Sequence, residues 1–160
     1  MIKILELIGE FLVEKLQSEL RDQGHVATGN LINSIKYKVT GDFSVEITTN
    51  KDYVTAMENG LPSGHYVPID ALIRWVEVKG IATGSKEVRD VAYAIRQTIF
   101  KEGSPTKGAF RFTSNGRRVG FAQYVLDQYT KKIVTMASAG LVQEFTQPIR
   151  NAVKYTNKIK

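Results

Sequence analysis

The chain has 160 residues, of which 42% are hydrophobic and 24% charged, the proportions of a folded globular protein and not of a disordered or membrane-embedded one. A chain of this length forms one domain by default, and it can bury about two thirds of the surface that its unfolded form exposes. It contains no cysteine, which excludes disulfides and thiolate chemistry, so packing and hydrogen bonds must hold the fold.

The net charge of +6 is concentrated in the last third of the chain. Residues 1–100 contain 11 Lys or Arg against 13 Asp or Glu, a balance of −2, whereas residues 101–160 contain 11 against 3, a balance of +8. Such an excess indicates an acidic partner, either nucleic acid or an acidic protein surface. A solvated basic face without a partner is the alternative that the composition leaves open.

A long amphipathic helix is predicted over residues 2–23, and Gly24 is expected to end it. Its apolar residues recur at three- and four-residue steps: Ile4, Leu5, Ile8, Phe11, Leu12, Leu16 and Leu20. Lys3, Glu6 and Glu10 interrupt this apolar start at helical spacing. We therefore expect neither a signal peptide nor a membrane span here, and the segment should remain in the mature protein.

The stretch from Thr28 to Gly60 is predicted to form a turn, a short helix, a hairpin and a second short helix. Thr28 is a suitable N-cap for the turn of helix at residues 29–34, because its hydroxyl can accept a backbone N–H that the first turn leaves unpaired. Asp52 is expected to cap the second short helix, which Gly60 stops.

The predicted hairpin has one apolar and one polar face, since apolar and polar residues alternate on both sides of a turn at Gly41-Asp42. The apolar face consists of Ile35, Tyr37, Val39, Phe43, Val45 and Ile47. A hairpin alone is marginal in water, so we expect one or two further strands, and helices that cover this face. The predicted fold class is α+β, in a single domain over residues 1–160, with a small antiparallel sheet under the N-terminal helix and under the helices that begin near residues 69 and 85.

Two further amphipathic helices are predicted after an exposed loop at Leu61–Val67. Pro68 opens the first, which runs to about Lys79, and Ser85 is a plausible N-cap for the second, which runs to about Lys101. Their inward faces are predicted to be Ile69, Leu72, Ile73 and Val76 in the first helix, and Val88, Val91, Ala92, Ile95 and Ile99 in the second.

Residues 104–120, the basic segment, lack helical or strand periodicity, and Asn115-Gly116 predicts a hairpin turn between residues 110–112 and 117–119. Its candidate contacts to a DNA channel or to a partner protein are Lys107, Phe110, Arg111, Phe112, Arg117 and Arg118. The cations can meet phosphates while the rings stack or anchor. We expect Arg111, Arg117 and Arg118 to project at the loop tip; alternatively, the rings pin the segment to the core and the arginines pair with acids of another subunit.

The C-terminal part is predicted to be helical from Phe121 to Ala137, with a break at Gly140. The expected inward stripe is Val125, Leu126, Tyr129, Ile133 and Met136. Residues 141–145 fit a short strand or a helical turn, and Pro148 suits the first turn of a closing helix through Tyr155.

Catalytic motifs with a known mechanism are absent from the sequence, including a Walker loop, a dinucleotide fingerprint, a GxSxG elbow and a metal-binding His pair. The two histidines, His25 and His65, lie in glycine-flanked loops, where a solvated or capping role is more common than catalysis. Glu58 is the most interesting single carboxylate, although a surface acid near a helix end is the simpler interpretation. We expect no enzyme activity, no cofactor and no metal.

Several short motifs follow one another at characteristic spacing. The residues that carry them are Thr28, Gly29, Asn30 and Leu31; Tyr53, Glu58 and Gly60; Leu72, Trp75, Val76, Lys79 and Gly80; and Ala94, Arg96, Ile99, Gly103, Pro105 and Phe110. In this order the chain resembles the small tail-completion or head-tail joining (neck) proteins of long-tailed bacteriophages. It departs from their pattern at Val54-Thr55, where a small residue usually follows the tyrosine, and in a longer basic stretch after Phe110.

The resemblance implies a non-enzymatic virion protein, made in the host cytoplasm, that assembles as a ring at the head-tail junction or the top of the tail. A hexamer, or alternatively a dodecamer, is implied, formed only or mainly on the virion, with DNA passing through it. Its implied neighbours are connector proteins on the portal side and tail-tube or terminator proteins, with non-specific DNA contact and no membrane. The alternative function is a nucleic-acid-binding accessory protein that uses the basic last third.

Overall fold

Six α-helices, one 3-10 helix and two strands follow one another in the described part of the chain. The computed structural model describes the backbone of residues 2–156 and the side chains of residues 2–148 and 150. The elements are α1 (Ile2–Asp22), α2 (Asn30–Ser34), β1 (Lys36–Val39), β2 (Val45–Thr48), α3 (Val54–Asn59), α4 (Ile69–Val78), α5 (Ser85–Glu102), the 3-10 helix (Lys107–Phe112) and α6 (Phe121–Thr156). The α+β class is confirmed. Within these residues no helix combines the length and the apolar character that a bilayer span needs.

The longest helices, α1 and α6, lie antiparallel. Near one end Ile4 faces Gly140, and further along Phe11 meets Tyr129 edge-to-face with ring centroids 5.3 Å apart. A side chain on Gly140 would collide with Ile4, so the absence of a Cβ lets the two helices approach. The predicted break at Gly140 is therefore wrong. Residues 141–145 and Pro148 also belong to this one helix.

The hairpin is confirmed in position, and its strands pair with Tyr37 opposite Ile47 and Val39 opposite Val45. It packs on α1, where the Tyr37 ring occupies the space that a side chain on Gly9 would need. Phe43 does not belong to the apolar face: it lies in the turn between the strands and is 74% exposed. No third strand joins the sheet within residues 2–156; an isolated bridge between Leu61 and Ser104 is the nearest substitute.

The main core lies between α1, α2 and α6. Its buried members are Ile8, Leu12, Leu16, Leu20, Leu31, Ile32, Ile35, Phe121 and Val125. They include four of the seven residues of the predicted α1 stripe, and also Ile35, the first residue of the predicted hairpin face. Leu126, predicted to point inward, is exposed because it lies one position around the helix from Val125.

A second core lies between α4 and α5. Its buried members are Leu72, Val76, Ala82, Val88, Ala92 and Ile99. The inward faces of both helices are thus those that the sequence predicts, but they face each other, and the cluster contains no hairpin residue. The prediction that these helices cover the hairpin is wrong. Helix α1 covers the hairpin, and α4 and α5 bury each other's apolar faces.

At three helices the observed N-cap differs from the predicted one. The Thr28 hydroxyl accepts from the Asn30 N–H over a long 3.4 Å, and α2 begins after Gly29, whose φ of 73° suits glycine. Asp52 does not cap α3, which begins after Tyr53 without a side-chain cap. Ser85 is the first residue of α5 and not its cap, a position that Gly84 takes.

Crowding between α1 and the hairpin is testable at Gly9. The Tyr37 ring atoms lie within 3.0 Å of the place that a Cβ on Gly9 would occupy. Alanine gains about 1 kcal/mol of helix propensity over glycine, but overpacking costs about 1–3 kcal/mol. We expect Gly9→Ala to lower the free energy of unfolding in denaturant titrations. In a Tyr37→Ala background the same change should become neutral or stabilising; an equal loss in both backgrounds would contradict the contact.

Candidate functional site

The basic segment does not form the predicted hairpin. Residues 107–112 are a 3-10 helix, and Asn115-Gly116 forms a turn without flanking strands. The segment starts at the Leu61–Ser104 bridge and ends where the Gly120 N–H donates to the Glu58 carbonyl over 2.7 Å. Between these points the segment crosses the C-terminal end of α1, and many of its polar groups bond to α1 and to the loop that follows it.

Arg117 is held by a buried carboxylate on α1. Its Nε lies 3.0 Å from Oε1 of Glu19, and its Nη2 lies 3.3 Å from Oε2. Oε1 also accepts from Gln23 Nε2 over 2.9 Å and from Asn115 Nδ2 over 3.0 Å. The hydrogen bond to Glu19 raises the pKa of Arg117, and its guanidinium lies 3.6 Å from the centroid of the Tyr124 ring. The prediction that Arg117 projects from a loop tip is therefore wrong.

Arg118 is also turned inward. Its Nη1 donates to the Gln23 carbonyl over 2.6 Å, and burial lowers the pKa of its guanidinium. The Arg118 carbonyl lies 2.9 Å from Nε2 of His25, so a neutral His25 ring with its proton on Nε2 donates there. These contacts hold the loop that follows α1. The prediction that Arg118 projects from a loop tip is therefore also wrong.

Phe112 anchors the basic segment to the second core. Its ring meets Trp75 of α4 edge-to-face with centroids 5.7 Å apart, and its carbonyl oxygen lies where a side chain on Gly24 would be. Two residues later, the Ser114 N–H donates to the Asp22 carbonyl over 2.8 Å. The segment thus ties α4 to the end of α1.

Only Lys107, Phe110 and Arg111 of the six predicted contact residues are exposed. They lie on the 3-10 helix and form what we call the exposed patch. The Arg111 guanidinium lies 4.8 Å from the centroid of the Phe112 ring, whose anchored position supports it. Two cations beside a free aromatic ring can bind an anionic surface without reading bases.

Glu58 caps the start of α6. Its Oε2 accepts from the Ala122 N–H over 2.9 Å and its Oε1 from the Gln123 N–H over 3.1 Å. Together with the bond from Gly120 to its carbonyl, one residue of α3 satisfies three donors at the helix start, where a negative charge is also favoured. The simpler interpretation of Glu58 as a surface acid is therefore wrong.

The remaining motif residues have roles in the backbone and the core. Gly29 and Gly60 have φ values of 73° and 74°, and a side chain on Gly60 would collide with the Ser104 carbonyl. Leu31 is buried in the main core. Tyr53 is nearly half exposed and occupies the position before α3.

Sequence reasoning missed Glu19 and Gln23, the buried polar residues of the site. A signal was present for Glu19, which follows Leu16 by three residues and precedes Leu20, so it falls on the apolar stripe of α1. An acid in that position needs a partner, because an unpaired buried charge costs several kcal/mol. Its partner could not be identified, since Arg117 is 98 residues away.

The described residues contain no group of three or more His, Asp and Glu side chains that could hold a metal ion. An open, shallow groove lies between the start of α1 and the α6 residues around Gly140 and Pro148. Comparison with protein-family models, with curated proteins and with solved structures finds no match to the chain. The resemblance to phage neck proteins therefore rests on the motifs alone.

The Glu58 cap can be tested by comparing Glu58→Ala with Asn59→Ala, a change at the exposed neighbouring position. Loss of the cap should lower the free energy of unfolding by about 1–2 kcal/mol. Glu58→Gln should fall between Glu58→Ala and the wild type, because its one acceptor oxygen can replace part of the cap. Equal stability of Glu58→Ala and Asn59→Ala in urea titrations would show that the cap contributes nothing.

His25 should make stability depend on pH. Burial and the nearby positive charge of Arg118 lower its pKa from 6.5 to about 4. As the pH falls from 6.5 to 4, the unfolded chain binds a proton at this residue and the folded chain does not, so the free energy of unfolding decreases.

The pH effect is isolated by His25→Gln, which keeps a side-chain N–H donor but does not titrate. The stability advantage of the wild type over this variant should be largest above pH 7 and should shrink towards pH 4. Parallel profiles for wild type and His25→Gln would contradict the assignment.

Proposed function

We propose that this chain is a structural, non-enzymatic protein of a long-tailed bacteriophage virion. It forms a ring at the head-tail junction or the top of the tail, joins the tail to the head and lets DNA pass through. The observation that carries the proposal is the order of the motifs, which runs from Thr28 to Phe110 and so spans about half of the chain.

The positions of the motif residues support this resemblance. Gly29 and Gly60 fill turns that need positive φ, and Glu58 links α3 to the start of α6. Trp75 packs against Phe112 of the basic segment. The backbone or the packing requires these residue types at these positions. Their order is therefore stronger support for the resemblance to neck proteins than an order of interchangeable surface residues would be.

The exposed patch is the surface best suited to contact a neighbouring ring or the DNA. Contacts from Lys107 and Arg111 to phosphates would be independent of sequence and sensitive to salt. Strong attraction in a channel would slow DNA ejection, which favours an acidic surface of an adjacent ring as the main partner. Arg117 and Arg118 contribute little to either contact, since both are occupied internally.

A nucleic-acid-binding accessory protein is the alternative, favoured by the +8 balance of residues 101–160. The inward contacts of Arg117 and Arg118 weaken it, because two of these cations are unavailable to phosphates. The two functions differ in where the protein is found: a neck protein is a stoichiometric component of purified particles, whereas an accessory protein is absent from them.

The experiment is charge reversal of the exposed patch in a phage that carries this gene. Lys107→Glu with Arg111→Glu should leave the melting temperature unchanged and reduce infectivity. The matched control is Lys86→Glu with Arg89→Glu, which reverses two exposed charges on α5 and should have no effect on infectivity.

Particle morphology then separates the two versions of the contact. Unjoined heads and tails would identify an adjacent protein ring as the partner, and joined particles that leak their genomes would identify the DNA channel. Normal joining, genome retention and infectivity together would show that the patch is a solvated surface. Absence of the chain from purified particles would refute the proposed function itself.

A further inference from the structure

The C-terminal end of α6 extends past the start of α1. Because the helices are antiparallel and Gly140 lies opposite Ile4, the backbone of α6 from about residue 145 onward extends past Ile2, the first described residue of α1. At 1.5 Å per residue, the helix from 145 to 156 forms an overhang roughly 18 Å long. A helical overhang of this length is rarely stable by itself in water, so it needs a surface to pack on.

The overhang and the turns before it expose apolar side chains on a second face of α6. Val142 is 62% exposed and Phe145 is 71% exposed, and their three-residue spacing places them side by side. They are rotated away from Gly140, which marks the face that packs on α1. Exposed apolar residues grouped in this way are typical of an interaction surface.

The overhang is basic, whereas the exposed side of α1 carries a row of carboxylates. Residues 145–156 include the basic residues Arg150 and Lys154 and no acidic one, and the Arg150 side chain is exposed on α6. On α1, Glu6, Glu10 and Glu14 are exposed at four-residue spacing, which places them in one row along the helix. Beside this row lies Leu7, an apolar side chain that is 51% exposed.

We propose that the overhang of α6 docks onto the acidic face of α1 in a second copy of this chain. Phe145 and Val142 cover Leu7, and the Arg150 side chain lies beside the row of Glu6, Glu10 and Glu14. Different surfaces of the two copies meet in this contact, so it can repeat from copy to copy, as a closed ring requires. It specifies the interface within the ring and to that extent rests on the proposed function.

Charge decides between this contact and a pairing of two overhangs. Two copies of α6 side by side would bring basic ends together, and like charges in contact are unfavourable. Docking on α1 pairs opposite charges and covers apolar surface on both partners.

The test uses the cysteine-free chain to make two single variants, Leu7→Cys and Phe145→Cys. Both positions are exposed, so both variants should fold, which thermal melting would verify. Under mild oxidation at low salt the mixture of the two should form disulfide-linked dimers. A mixture of Phe145→Cys with Lys86→Cys, an exposed position on α5, is the matched control and should give only background.

The outcomes are distinct. Disulfide-linked dimers from Phe145→Cys alone would show that two overhangs pair. A dimer yield from the Leu7→Cys and Phe145→Cys mixture no higher than in the control would show that the overhang does not dock on α1. Either result overturns the proposal. Crosslinking in the productive mixture should decrease as salt is raised, because the charges are at the surface. A yield unaffected by salt would refute the electrostatic part.

Failure of this interface is distinguishable from failure of the proposed function. In phage particles, a chain with both cysteines should crosslink into a ladder of multimers that ends at the copy number of the ring. Particles that contain the chain and join normally, but give no ladder, would overturn the interface and leave the function standing. Purified particles without the chain would overturn the function, whereas the crosslink in solution would still establish the contact.

Discussion

The close antiparallel contact of α1 and α6 is the constraint on which the rest of the structure depends. Gly140 allows the approach at one end, and Phe11 and Tyr129 fill the space further along. At the other end the start of α6 is fixed by the Glu58 cap, and the loop before it is fixed by the Glu19–Arg117 pair. The hairpin packs on α1, so its position also follows from this pair of helices. A change in the register of the two helices would displace each of these contacts.

The basic segment shows that residues typical of a binding surface can serve structural roles. Arg117 neutralises a carboxylate that the core would otherwise bury alone, and Arg118 closes the loop after α1. Phe112 ties α4 to the end of α1 through its contacts with Trp75 and Gly24. What remains outside is the exposed patch, held in position by its anchored neighbours. The charge asymmetry of the sequence is thus divided between holding the fold together and presenting a surface.

Periodicity in the sequence was sufficient for the α+β class, for α1, for the position of the hairpin and for the inward faces of α4 and α5, because each depends on neighbours a few residues apart. It could not show which faces pair, so the partner of α4 was misassigned. Gly140 illustrates the same limit: a glycine that ends a helix and one that admits a neighbouring helix look alike in sequence. Asn115-Gly116 favoured a hairpin locally, but the Asn115 amide bonds to Glu19, 96 residues away. Arg117 was misplaced for the same reason.

The separation of the two cores has a consequence for how the molecule opens. The cluster between α4 and α5 shares no buried residue with the cluster between α1 and α6. Contacts that link the α4–α5 part to the rest of the molecule include the Leu61–Ser104 bridge and the packing of Phe112 on Trp75. Separate apolar clusters define separate cooperative units of local unfolding. We therefore expect the α4–α5 pair to open while α1 and α6 stay closed, so that its amide hydrogens exchange with solvent sooner.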